Sequence, residues 1–187
     1  MKIGFASAVL GVCALTRVGA AAAQGRSAIG ISAEATNPSG PWGQAFNANF
    51  GAELFAKKQF QDYGITGRLG LAYRPFTASS SWHMSLTSLE GSAEHAFRGL
   101  PFSPILLGGL GVYSAAEKAT VAGGTNGIFH DPMDRRSESL GGVIGGGFDI
   151  GAGSVKIPLR ITYHRVPGIH VQGDPLAFTS FSLGIQF

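Results

Sequence analysis

Few residues of this 187-residue chain combine the type and spacing that chemistry needs. His83-Met84-Ser85 is one such group. Side chains two apart on an extended strand point to one side, so the His83 imidazole could take a proton from the Ser85 hydroxyl. No clear acid is present to orient the imidazole, and the plainer reading is two polar wall residues. His130, Asp131 and Asp134 form a second cluster. They fall short of the oxygen set that Ca²⁺ takes, so a solvated loop is the plainer reading and no metal is expected. Arg160 and His164 share a parity and could carry protons. Pairing with Glu90 or Glu94 is the structural reading. The run Gly145-Gly146-Gly147 resembles a phosphate cradle only superficially, because no GxxxxGK[ST] pattern exists and no helix follows. No cofactor is expected.

The elements that position these residues follow from composition and alternation. The chain is 44% hydrophobic, and its 13% of charged residues compares with roughly 25% in an ordinary soluble domain. That balance excludes disorder, and its 29 glycines follow no collagen period. The net charge of +3 is spread along the chain, which argues against a nucleic-acid partner. Lys2, the apolar run Ile3 to Leu15 and the small residues Ala21-Ala22-Ala23 predict a Sec-type signal peptide over 1–23. Cleavage is expected between Ala23 and Gln24, leaving one domain over 24–187. Arg17 interrupts the run too early for a spanning helix, and Val12 before Cys13 argues against a lipoprotein. Processing would remove Lys2, Arg17 and Cys13, so 12 bases would face 11 acids and the mature chain would have no thiol.

Period-two alternation recurs in eight segments of about ten residues, the length with which a tilted strand crosses a bilayer. Segment one opposes Ile29, Ile31 and Ala33 to Ser32 and Glu34. Segment two opposes Phe46, Ala48, Phe50 and Leu54 to Asn47, Asn49 and Glu53. Segment three sets Ile65, Leu69, Leu71 and Tyr73 against Thr66, Arg68, Gly70 and Arg74. In residues 83–97 the apolar parity slips from Met84 and Leu86 to Leu89, Ala93 and Phe97, which predicts a β-bulge near Thr87. Residues 102–114 are apolar on both parities, so their facing stays open. Segment six opposes Leu140, Ile144, Phe148 and Ile150 to Val143, Gly145, Gly147 and Asp149, and segment seven opposes Val155 to Tyr163 against Lys156 to His164. The last places Phe181, Leu183, Ile185 and Phe187 on one face. Connections at Asn37–Gly43, Phe76–Ser81, Ala115–Glu138 and Val166–Pro175 are mostly longer than the alternate ones, the layout of outer-membrane barrels.

Charge decides which face meets which solvent. Opposite the apolar face lie Glu34, Glu53, Glu90, Glu94 and Asp149, against Arg68, Arg74, Lys156 and Arg160. Nearly balanced charges of this kind suit a narrow lumen that side chains fill. The apolar face would then meet lipid, where a mid-depth Arg or Lys costs about 2–4 kcal/mol. A soluble lipocalin-like carrier, the alternative, would show a more heavily charged exterior. Tyr63, Tyr73, Tyr113, Tyr163, Phe97 and Phe187 fall near strand ends, where interfacial girdles sit.

Three features resemble a known family. The alternating Phe178–Phe187 segment with its terminal Phe resembles the signal read by the barrel-assembly machinery. The run Pro104 to Tyr113 and the Gly142–Ile150 segment resemble adjacent strands of the outer-membrane β-barrel domain family, over residues 26–187. The resemblance implies an all-β, eight-stranded antiparallel up-and-down transmembrane barrel, of the OmpA/OmpX type, in the bacterial outer membrane. It implies a monomer in contact with outer-membrane lipid and lipopolysaccharide, assembled by that machinery. Asp134, Arg135, Arg136 and Glu138 would be mixed surface charge near lipopolysaccharide phosphates. Members have varied roles, so the fold names no activity. The expectation is a filled lumen and a structural or surface-interacting role without catalysis. Alternatives are a lipid A-modifying enzyme or a narrow solute channel. Lipid A deacylases of similar fold use a His-x-Ser pair facing lipid, whereas His83 and Ser85 are expected to face the lumen and lack the family's Asn after the Ser.

Overall fold

The computed structural model describes residues 27–60, 64–78, 82–97, 103–119, 133–152, 155–171 and 173–187. Ala23, Gln24, Cys13, Tyr63, His130 and Asp131 lie outside them. The elements are β1 (Ser27–Pro38), α1 (Pro41–Ala45), β2 (Asn49–Phe60), β3 (Ile65–Thr77), β4 (Trp82–Ala96), β5 (Ser103–Ala119), β6 (Met133–Ala152), β7 (Val155–Val171) and β8 (Asp174–Gln186). The eight strands close in sequence order into an antiparallel barrel. The closing seam is zipped from Pro38↔Phe178 to Gly30↔Gln186, and Ile29 and Phe187 exchange backbone hydrogen bonds of 3.2 and 2.9 Å. Closure leaves no sheet edge there, as strands in lipid require. Ser27 and Phe187 share one end of the barrel, here the terminal end; the opposite one is the loop end.

Alternation sets the two walls. Ile31, Leu54, Leu71, Leu110, Ile144, Ile161 and Phe181 all project outward and are exposed. Glu34, Glu53, Arg74, Glu90, Glu94 and Arg160 project inward and are buried. The open question over 102–114 resolves with odd residues inward: Ile105, Leu107 and Tyr113 are buried, while Leu106, Leu110 and Val112 are exposed.

Several expectations are corrected. No bulge occurs near Thr87, because β4 keeps unbroken register with both neighbours. Met84 and Leu86 instead point inward and are buried. His83 and Ser85 therefore lie on the outer face of β4, not in the lumen; His83 is exposed and Ser85 half-buried. Tyr113 is fully buried inside the barrel rather than in a girdle, whereas Tyr73, Tyr163, Phe97 and Phe187 are outward and exposed. Phe46 precedes β2 and is buried, not part of an outer face. The strands also run further than expected. β5 and β6 stay paired out to Ala119↔Met133, so Asp134–Glu138 is strand rather than loop. β7 and β8 pair out to Val171↔Asp174, with an irregularity between Val166 and His170.

The barrel is narrow, and two glycines of β6 show how narrow. A Cβ at Gly145 would collide with the carbonyl oxygen of Ile161, and one at Gly147 with that of Leu159. By contrast, nothing lies within 4 Å of a Cβ at outward Gly108. Gly147→Leu should therefore cost at least about 1–3 kcal/mol and weaken the folded band on an unheated SDS gel. Gly108→Leu should keep that band, and equal behaviour of the two variants would contradict the packing described.

Candidate functional site

The interior has two layers, and its polar layer holds most of the inward charges. Arg74 on β3 is its centre and is 1% exposed. Its Nε and Nη2 donate to the Glu34 carboxylate at 2.7 and 3.3 Å, and its Nη1 donates to Ser88 Oγ at 2.6 Å and Glu90 Oε1 at 3.0 Å. Ser88 Oγ donates in turn to Glu90 Oε1 at 2.6 Å. Three strands, β1, β3 and β4, thus meet at one guanidinium, whose fork suits two carboxylates at once.

A second cluster lies toward the terminal end. Arg68 pairs with Glu53, which also accepts from Ser32 Oγ at 3.2 Å. Arg160 Nη2 reaches Asp149 at 2.6 Å and Glu94 at 3.5 Å, while its Nη1 donates to the carbonyl oxygens of Phe148 and Leu159. Lys57 Nζ donates to Glu94 Oε2 at 2.8 Å. Arg68 Nε and Glu94 Oε1 stand 3.7 Å apart, an ion pair without a hydrogen bond. Of the nine residues assigned to the lumen network by sequence, eight carry these ion pairs. Lys156 is the exception: it has the inward parity of β7 but is exposed near the terminal end, and no ion pair of it occurs among the described residues. Lys57 does the pairing instead. It keeps the odd parity of Glu53 and Phe55, a signal that lies just past Leu54, the last residue of the second alternating segment.

Toward the loop end the interior turns apolar. Trp42, Phe46, Phe76, Met84, Leu86, Tyr113, Ala115, Val166, Ile169, Leu176 and Phe178 form one buried cluster. The short α1 brings Trp42 into it. Gly40, with φ of 61°, turns the chain, and Pro41 opens the helical turn. Trp42 Nε1 donates to the Asp174 carbonyl at 3.3 Å, and Ser39 N to the Ala177 carbonyl at 2.9 Å, which ties the segment to β8. Ring contacts run Trp42–Phe46 at 5.6 Å, Phe46–Phe76 at 6.2 Å, Phe76–Phe178 at 5.9 Å and Phe178–His164 at 4.4 Å. The two layers join at Phe178, over which the Arg74 guanidinium lies at 5.4 Å.

His164 stands at that junction. Its Nδ1 is 3.0 Å from Tyr113 Oη and 3.7 Å from Glu90 Oε1, and its Nε2 is 2.8 Å from Thr162 Oγ1. These are acid–base groups, yet they enclose no space for a substrate. The cavity bounded by Glu34, Arg74, Glu90, Arg160 and His164 measures about 10 Å³. That is close to the volume one water molecule needs. Trp42 falls in the Asn37–Gly43 connection and Tyr113 near a strand end, and alternation that puts polar residues inward signals an inward position for neither.

The remaining candidates lie on the outer wall. His83 registers beside Thr77 and Lys118, and Ser85 beside Pro75 and Ala116, so no carboxylate adjoins the pair in the register. Phe181, Leu183, Ile185 and Phe187 are outward and exposed along the closing seam. Asp134 is on β6.

No protein-family profile matches the sequence, and no curated protein matches it. Solved structures do. Neisserial surface protein A (NspA) aligns with a TM-score of 0.62 at 16% identity, over 86% of this chain and 95% of its own. The N-terminal β-barrel domain of Pseudomonas aeruginosa OprF gives 0.49 at 15% identity, over 88% of this chain and all 100% of its own. Ail, the attachment invasion locus protein of Yersinia pestis, gives 0.49 at 17%, with coverages of 88% and 100%.

Removing one partner of a buried pair strands the other charge, so Arg74→Met should lower stability by about 3–5 kcal/mol. Lys156→Gln should move it by less than about 0.5 kcal/mol. Urea unfolding in vesicles measures both, and a neutral Arg74→Met would contradict the network. Closed strand order, outward apolar wall and the alignment with NspA together give this chain the fold of the small eight-stranded outer-membrane β-barrels.

Proposed function

We propose that the protein is a bacterial outer-membrane barrel, exported by a cleaved signal peptide, with a structural or surface-interacting role and no catalysis. The observation that carries this reading is the double closure of the lumen. A layer of ion pairs spans the barrel, and an apolar plug lies above it. The cavity of about 10 Å³ enclosed within the ion-pair layer leaves no room for a solute larger than a water molecule. What remains for contact is the outer wall, which meets lipid, and the loop end, which faces the exterior in this reading. The monomer meets outer-membrane lipid and lipopolysaccharide, and the Phe181–Phe187 segment engages the barrel-assembly machinery during insertion. These assignments draw support from the fold and from the outward position of those side chains.

One observation favours a second reading. His83 and Ser85 share the outer face of β4, where a lipid substrate would approach. Among the described residues no carboxylate registers beside the pair, which argues against it, since an imidazole base needs an orienting group. Lipid A mass profiles with and without expression should be identical. Loss of an acyl chain that disappears in a His83→Ala, Ser85→Ala double variant would establish the enzymatic reading instead.

Planar-bilayer recordings test the closed lumen. The native protein should show no steady conductance, and Trp42→Ala should stay closed because the ion-pair layer lies beneath the plug. Steady conductance of the native protein would make it a narrow channel.

A further inference from the structure

The outer wall of the barrel is not uniformly bulky. β6 alternates large and absent side chains on its outward face: Leu140, Gly142, Ile144, Gly146, Phe148. Its neighbours deepen the relief, since Gly108 on β5 registers with Ile144. No atom comes within 4 Å of a Cβ placed at Gly142 or Gly108, so these notches are filled by nothing from the barrel itself. Just toward the terminal end of them begins an open concavity of about 1150 Å³ that runs from Leu106 on β5 across Ile144, Gly146 and Ile161 to Phe181 on β8 and Ala33 on β1.

The wall changes character at the loop end of this concavity. Along β7 the outward residues run Leu159, Ile161, Tyr163, Arg165. That is apolar wall, then an aromatic, then a cation, the order found where hydrocarbon gives way to headgroups. Arg165 is exposed and registers with Gly142 on one side and Ala177 on the other. Among the described residues it makes no ion pair. A free guanidinium between two small residues, at the mouth of an apolar notch, is complementary to a phosphate that carries acyl chains.

The length of the notched strip separates a lipid from a protein partner. Gly142 to Phe148 spans roughly 20 Å along the strand, which a tilt of about 45° turns into roughly 14 Å of depth. One leaflet of hydrocarbon is about 15 Å deep. The strip therefore matches one leaflet, whereas a partner helix would contact both. We propose that the β5–β7 wall seats one phosphate-bearing, multiply acylated lipid of the outer leaflet, with its phosphate on Arg165 and a chain over Gly142 and Gly146. This rests on the outer-membrane reading above, with the loop end outward.

The test uses the full-length barrel in phosphatidylcholine vesicles doped with lipid A or with dephosphorylated lipid A, followed by mild extraction and native mass spectrometry. The native protein should retain lipid A and discriminate against the dephosphorylated form. Arg165→Gln should reduce retention about fivefold, the effect of one interfacial cation. Gly142→Leu, whose Cβ would meet nothing within 4 Å, should reduce it as well, and Lys156→Gln at the other end should not. Equal retention by the native protein and Arg165→Gln, or equal retention of both lipids, would overturn the seat. A native barrel that gives no heat-modifiable folded band in these vesicles would overturn the membrane reading itself, and the seat with it.

Discussion

The Arg74 guanidinium must be neutralised inside a tube too narrow for solvent to do it. Removing an ion from water costs several kcal/mol, and only well-placed counter-charges offset that. Glu34, Glu90 and Ser88 surround it from β1 and β4, so three strands depend on one side chain for their inward polar groups. The same constraint recurs nearer the terminal end with Arg68, Lys57 and Arg160 against Glu53, Glu94 and Asp149. Each carboxylate is reached from another strand, so the pairs tie the wall together across the lumen as well as along it. The inward glycines of β6 leave room for this: Gly147 lies beside the Arg160 side chain, and a larger residue would displace it.

Much of this was legible in the alternation. The period of two assigned the faces of Glu34, Glu53, Arg68, Arg74, Asp149 and Arg160, because in those stretches polar means inward and apolar means outward. The rule fails where both faces are apolar. At the loop end the interior is closed by Trp42, Phe46, Phe76 and Phe178, so Met84, Leu86 and Tyr113 are apolar residues that face in. Their parity imitates a bulge in the sequence, although β4 keeps unbroken register, and the same inversion puts His83 and Ser85 on the outer face. Lys156 shows a different limit: parity gives the face of a residue but not its depth. Lys57 and Lys156 both have inward parity, yet Lys57 lies deep enough to meet Glu94 while Lys156 reaches solvent.

The division of labour between the walls follows. Ion pairs and the plug fill the lumen, where His164, Tyr113 and Glu90 bond across strands. In the proposed reading interaction falls to the outer surface, where the apolar belt is broken by glycine notches and ended by Tyr163 and Arg165. A side-chain-filled interior is the consequence of closing only eight strands.

Cross-lumen ion pairing, rather than packing alone, holds the interior together. A double-mutant cycle between Arg74 and Glu90, read by urea unfolding in vesicles with Arg74→Met and Glu90→Gln, tests it most directly. The coupling should be at least about 1.5 kcal/mol, within the range for groups sharing one network. A coupling indistinguishable from zero, with the two single losses simply adding, would contradict it.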